Sequence, residues 1–249
     1  MKFILTEGEL YVLNKYMKSL TIMNNLQPLR LTESGCEDLI GPLLDKALLK
    51  KKGDDYALAD ELRPFSKALD FPDFIVLNVF DVEGENAVEG KDFCAIKRKT
   101  VGVLSKDDDM YTLEFYEKSS LNTVLSEFLG LDIDEFSDND PLPPFVITLS
   151  MKNFDDFIKA YNDNQTGAIN CYQKVFGLPV EHLGVLASTI VGNNCRSKFI
   201  VQTKQNSILY TIYKKNGVTV VGYVKKKLFG EDAILSHQRL DEFVKWIKP

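Results

Sequence analysis

The sequence predicts an α+β protein made of two copies of one unit: a strand, helices, three sequential antiparallel strands and a closing helix. Three observations predict it. "FILTEGELYVLNKYM" from Phe3 and "FVITLSMKNFDDFIKAY" from Phe145 each run an apolar strand straight into an amphipathic helix, so the chain starts again at residue 145. Each copy then moves from helical to β-type periodicity. Finally, the closing helices share one apolar spacing, Leu121, Val124, Leu125, Phe128 against Leu240, Phe243, Val244, Ile247.

In chain order, Thr6 and Glu9 have capping-box spacing, so each can satisfy a free backbone N–H at a helix start. Leu10, Leu13 and Met17 share a face with Tyr16 adjoining, and Asn14 is a polar exception. Ser34 and Glu37 repeat the box spacing before a helix holding Leu39, Ile40, Leu43, Leu44 and Leu48. Gly53 marks a turn, and a third helix is expected over about Ala57–Leu69, ending near Phe71-Pro72. Three strands follow: Phe74–Val82, Phe93–Ser105, and "MYTLEFYEK", where Tyr111, Leu113 and Phe115 share a face. Their connections are Glu83–Lys91, long and acidic with two glycines, and Asp107–Asp109. Ser120 is the expected cap of the first closing helix.

Residues 131–144 combine five acids with Pro141, Pro143 and Pro144, which cannot continue a helix and push the preceding residue to extended geometry. They read as a junction between an N-terminal half, 1–130, and a C-terminal half, 145–249. The acid spacing imitates a calcium loop, but Ser137 stands where the turn needs glycine and the terminal bidentate glutamate is missing. In the second half, Phe154, Phe157, Ile158 and Tyr161 form one helical face. A helical stretch over about Gly167–Ile190 breaks near Gly177-Leu178-Pro179. "SKFIVQTKQ" is a strand, and "ILYTIYKKNGVTVVGYVKK" is a hairpin about Asn216-Gly217, the preferred two-residue turn. Ser236 is the expected cap of the final helix.

Composition excludes several function classes. The 249 residues are 45% hydrophobic, enough for one large core or two small ones, with a net charge of −6. An acidic chain suits phosphate-backbone binding poorly. The lysine runs Lys50–Lys52 and Lys225–Lys227 are most simply solvated charge at element ends. No apolar run reaches the ~18 residues of a membrane span, and the N-terminus does not read as a signal peptide, so a cytosolic location is expected. Cys36, Cys94, Cys171 and Cys195 form no C-x-x-C pair and read as small buried hydrophobes. With His182 and His237 the only imidazoles, a metal site is not expected. No phosphate loop and no Gly-x-Ser-x-Gly elbow occurs. Trp246 sits beside the last apolar face, and Asp155-Asp156 reads as surface. No catalytic residue, cofactor or metal is predicted. "LLKKKGDDYAL" also reads as the helix-plus-wing end of a winged helix.

Four stretches, Ile4–Met17, Leu39–Leu69, Phe93–Leu129 and Ile234–Ile247, resemble the EspG family, chaperones of mycobacterial type VII secretion. The likeness is nearer still to the EspG-like proteins of Gram-positive type VII secretion loci. The chain departs from the mycobacterial members, which are rich in Ala, Arg and Gly. The resemblance implies a central, mostly antiparallel sheet with flanking helices, with both halves in one pseudo-twofold domain. It implies a cytosolic chaperone or adaptor without catalysis, whose partner is a helical secreted protein, a WXG- or LXG-type substrate or its small helical partner. It places partner contacts in the Glu83–Lys91 connection (Glu83, Gly84, Glu85, Asn86, Val88, Glu89 and Gly90) and on the sheet face near the C-terminal helices. The other readings are a ligand-binding protein or enzyme with a pocket between the halves, and a winged-helix regulator.

Overall fold

The computed structural model describes residues 1–19, 22, 31–79, 92–97, 100–131, 142–163, 166–192, 197–238 and 240–247. The protein is of the α+β class, antiparallel sheet flanked by helices. It forms two compact units, Met1–Leu121 with Gln202–Asn206, and Asn122–Val201 with Ser207–Pro249.

In the first unit β1 (Lys2–Thr6) passes without a loop into α1 (Glu7–Met17), because Thr6 is both the last strand residue and the N-cap. The predicted capping box is formed. The Glu9 N–H donates to Thr6 Oγ1 at 3.2 Å, and the Thr6 N–H donates to Glu9 Oε2 at 2.7 Å. Glu9 is buried, and Lys46 Nζ compensates it at 2.6 Å while also donating to the Ile4 carbonyl at 2.9 Å. The polar exception Asn14 braces the helix end: its amide donates to the Ser19 carbonyl and its oxygen accepts from the Ser19 N–H.

Three expectations fail between the first helix and the sheet. The second helix is two short ones, α2 (Glu33–Glu37) and α3 (Ile40–Asp45), and the cap is Thr32, which accepts from the Gly35 N–H. Ser34 lies inside α2. The helix expected from Ala57 begins later, as α4 (Arg63–Asp70). Its expected start pairs instead in a hairpin, β2 (Leu49–Lys52) with β3 (Asp55–Leu58), turning at Gly53 with φ +65°. Pro64 fits the first turn of α4, where its missing N–H costs nothing.

The sheet of this unit holds β4 (Phe74–Val79), β5 (Phe93–Lys97), β6 (Thr100–Asp107) and β7 (Met110–Glu117), in spatial order β1-β7-β6-β5-β4. The segment Phe93–Ser105, expected as one strand, is thus an antiparallel hairpin with Lys97 opposite Thr100. Phe93 to Ile96 are all buried, so no inside–outside alternation marks the reversal. Tyr111, Leu113 and Phe115 face the core as expected, with Leu5, Leu10, Leu13, Leu69 and Phe93.

The second unit takes α5 (Leu121–Leu129) apart from its first residue. It then repeats the device: β8 (Phe145–Ser150) runs into α6 (Met151–Asn162), with Ser150 as N-cap accepting from the Asn153 N–H at 3.2 Å. Three helices follow, α7 (Thr166–Cys171), α8 (Gln173–Phe176) and α9 (Val180–Val191), and the predicted break falls at Gly177, whose φ is +68°. The strands are β9 (Ser197–Gln202), β10 (Ser207–Lys215), β11 (Val218–Lys226) and β12 (Glu231–His237), before α10 (Leu240–Ile247). β10 and β11 turn at Asn216-Gly217, both with positive φ, as predicted. Ser236 is not a helix cap. It lies buried in β12 opposite Val221 and Val146.

The spatial order in this unit, β8-β12-β11-β10-β9, repeats that of the first strand for strand, so each copy carries a four-stranded meander rather than three strands. A glycine marks equivalent places. Gly102 on β6 lies opposite Phe115, and Gly222 on β11 lies opposite Leu235, at the same separation along the chain. Each leaves room for a leucine: an added Cβ would sit 2.9 Å from Leu69 Cδ2 at Gly102 and 2.8 Å from Leu235 Cδ2 at Gly222.

Two outcomes follow. Gly222→Ala lowers the unfolding free energy by about 1–3 kcal/mol in urea titrations, because Leu235 is buried and cannot swing away. Glu9→Gln costs about 1–2 kcal/mol at neutral pH. Burial raises the Glu9 carboxyl, but the Lys46 and Thr6 hydrogen bonds outweigh it and hold the group below its usual value. Its contribution is therefore complete above the unfolded value of about 4.3 and disappears as pH falls through the lower native one. The gap between wild type and variant should close over that acidic range.

Candidate partner-binding groove

The helix α6 carries two parallel stripes at helical spacing. Phe154 and Ile158 form one, and Asp155, Lys159 and Asp163 form the other. Phe157 and Ala160 point inward and are buried, with Phe157 against Phe176 at 4.5 Å and Tyr172 at 5.4 Å. Phe154 and Ile158 are only half-buried, and line a groove with Ile190 and Val191 of α9 and Tyr213 of β10. The groove has a volume of about 470 Å³, with Asp155, Lys159, Asn162 and Asp163 at its rim. Every lining residue belongs to the second unit. The groove exposes polar and apolar surface in about equal measure, which suits a segment that presents both, such as an amphipathic helix face.

On the other side of the same strands, α10 packs through aromatic rings. Phe199 stacks on Tyr210 at 4.9 Å, and Trp246 meets Tyr210 at 5.7 Å and Tyr223 at 5.5 Å. Burial pushes both tyrosine hydroxyls above their ordinary range. Trp246 thus works as the edge of this core.

The partner contacts expected at Glu83, Gly84, Glu85, Asn86, Val88, Glu89 and Gly90 lie outside the described residues, as does most of the acidic junction, 132–141. The connection's far end is fixed at Asp92, whose carboxylate accepts from the Lys106 N–H at 2.8 Å. Burial raises that carboxyl, partly offset by this bond.

None of the described histidines or cysteines lines the groove. His237 lies buried in β12 with Nδ1 2.8 Å from the Thr219 carbonyl, and His182 is half-buried on α9. Burial pushes the Cys94 thiol far above its ordinary value; of the free cysteines Cys36, Cys94 and Cys171, only Cys94 is the buried hydrophobe expected, since Cys36 is half-buried and Cys171 exposed. Among the described residues no group of three or more His, Cys, Asp or Glu is arranged to hold a metal. The stretch "LLKKKGDDYAL", read also as the helix-plus-wing end of a winged helix, holds the β2–β3 hairpin and no helix, and Lys50 is paired with Asp60. No single described helix is long and apolar enough to cross a membrane.

No family profile matches the sequence, and no curated protein matches it. The fold is found among solved structures. It is similar to the Mycobacterium tuberculosis type VII secretion system chaperone EspG5, solved in complex with the PE25-PPE41 dimer, with a TM-score of 0.58. The match covers 97% of this chain and 92% of that one at 9% identity. The predicted EspG-like architecture therefore stands at the level of fold.

The cysteines supply a test of these placements. Iodoacetamide at pH 8 should alkylate exposed Cys171 in the native chain and leave buried Cys94 unmodified until denaturant is added, as read by peptide mass mapping. Native alkylation of Cys94 at the rate of Cys171 would contradict its burial.

Proposed function

We propose that this chain is a cytosolic chaperone or adaptor that holds a helical secreted protein for a type VII secretion system and performs no chemistry itself. The observation that carries the reading is the shared fold along nearly the whole chain with a chaperone captured on its protein partner. The groove on α6 supports it independently. Half-buried Phe154 and Ile158, one helical turn apart, offer the periodic apolar contacts that an amphipathic helix makes with its own i, i+4 side chains. The charged stripe Asp155, Lys159, Asp163 beside them would set the direction in which that helix lies. The Glu83–Lys91 connection is proposed as a second contact, on the resemblance alone. The partner is a helical secretion substrate of the WXG or LXG type, or its small helical companion.

The test is affinity purification of the tagged chain from its native host with mass spectrometry. The expected result is near-stoichiometric recovery of a small helical secreted protein. Ile158→Glu should reduce that recovery about ten-fold or more, the effect of losing one well-buried apolar contact. Recovery of the bait alone at high expression would overturn the reading.

A further inference from the structure

Leu228 and Phe229 are 97% and 96% exposed, at the tip of the connection between β11 and β12. The tip is built to hold them out. The Lys227 N–H donates to the Gly230 carbonyl at 3.0 Å, Gly230 takes φ +93°, and Lys226 pairs with Glu231 just below. Exposing two adjacent large apolar side chains on a closed hairpin end is costly unless they have somewhere to go. Lys225 and Lys226, both exposed, give the approach to the tip a positive charge, while Lys227 is paired with Asp232.

The same unit contains the groove along α6, where Phe154 and Ile158 lie beside Asp155, Lys159 and Asp163. Two of the three charged rim residues, Asp155 and Asp163, are opposite in sign to Lys225 and Lys226 at the tip, and Lys159 stands between them. Tyr213 in the groove is opposite Val220, near the Asn216-Gly217 turn. The tip follows the far end of β11, beyond Lys226. At roughly 3.3 Å per residue the strand puts roughly 20 Å between Tyr213 and the tip, and Leu228 and Phe229 are almost fully exposed, so the tip does not fill the groove of its own chain. A second copy related by a two-fold axis can fill it, each tip entering the other's groove.

We propose that the chain associates with itself through this exchange: the Leu228-Phe229 tip of each copy seats in the Phe154–Ile158 groove of the other, with Lys225 and Lys226 approaching the Asp155 and Asp163 rim. Two such contacts bury less than the roughly 1,200 Å² of a stable standard interface, so the association is weak and concentration-dependent. It does not rest on the secretion reading, since groove and tip belong to this chain alone.

Sedimentation velocity on the purified full chain, from about 10 μM to about 1 mM, tests it. The expected result is a rising weight-average sedimentation coefficient that reaches a dimer. The double variant L228S/F229S, altered only at a solvent-exposed turn, should stay monomeric across the range. I158E should do the same. Mixing the two variants should restore a weaker dimer, because the intact tip of the I158E copy meets the intact groove of the other. Raising salt to about 1 M should weaken the wild-type dimer. A wild type that stays monomeric at the highest concentration would overturn the proposal, and so would a tip variant that dimerises as well as wild type. Failure of the variants to complement on mixing would also overturn it. None of these outcomes depends on whether a secreted partner is recovered from the host.

Discussion

Everything in each unit depends on a strand that ends as a helix cap. Thr6 closes β1 and caps α1, and Ser150 closes β8 and caps α6. With no loop between them, the helix has little choice of direction and must fold back over the sheet its own strand has just joined. The cap also satisfies an orphan N–H at the point where the chain turns inward, so the turn can be made next to the core. In the first unit the arrangement is reinforced. Glu9 is drawn under the surface by the reciprocal bonds of the box, and Lys46 reaches from beyond α3 to hold both its carboxylate and the Ile4 carbonyl. One lysine thus fastens strand, cap and helix together.

The two copies share topology but differ in how completely the first helix is covered. In the first unit α1 buries Leu10, Val12, Leu13 and Met17 under α3, α4 and the β2–β3 hairpin. In the second unit α6 buries only Phe157 and Ala160 fully and keeps contact with α7 and α9. Phe154 and Ile158 are left half-wet in consequence. A duplicated unit with one closed and one open helix face is a simple way to make a binding surface without disturbing the fold, since the sheet beneath is the same in both.

Much of this was legible in the sequence because it is local. The capping box at Thr6 and Glu9, the Asn216-Gly217 turn, the break at Gly177 and the alternation of Tyr111, Leu113 and Phe115 each rest on neighbouring residues. What was missed is where tertiary burial erased the pattern. Phe93–Ile96 are buried in succession, so the hairpin to β6 was hidden. Ser236 looked like a cap because a serine before an amphipathic helix usually is one, yet it is a small residue between Val221 and Val146. The helix expected from Ala57 gave way to a strand pairing that only β2 could reveal. A further signal lies in the Val-Gly pairs Val101-Gly102 and Val221-Gly222, which mark the same strand in both copies. The groove was half legible. The α6 stripe reads as an apolar face in the sequence, but how far Phe154 and Ile158 are covered depends on what the rest of the unit places beside them.

That division also bears on what the surface can select. The apolar side chains Phe154 and Ile158 supply affinity without much discrimination, since any leucine or phenylalanine gains by leaving water. Discrimination has to come from the rim, where Asp155, Lys159 and Asp163 stand one helical turn apart along one edge. A ligand that presents apolar groups beside positive charge fits that edge, and one carrying acids beside its apolar groups is opposed by two of the three. Both the tip of a second copy and a helix of a secreted partner would be judged by this rule. They would compete for one groove, so the weaker and more local of the two can only act as a placeholder that mass action removes.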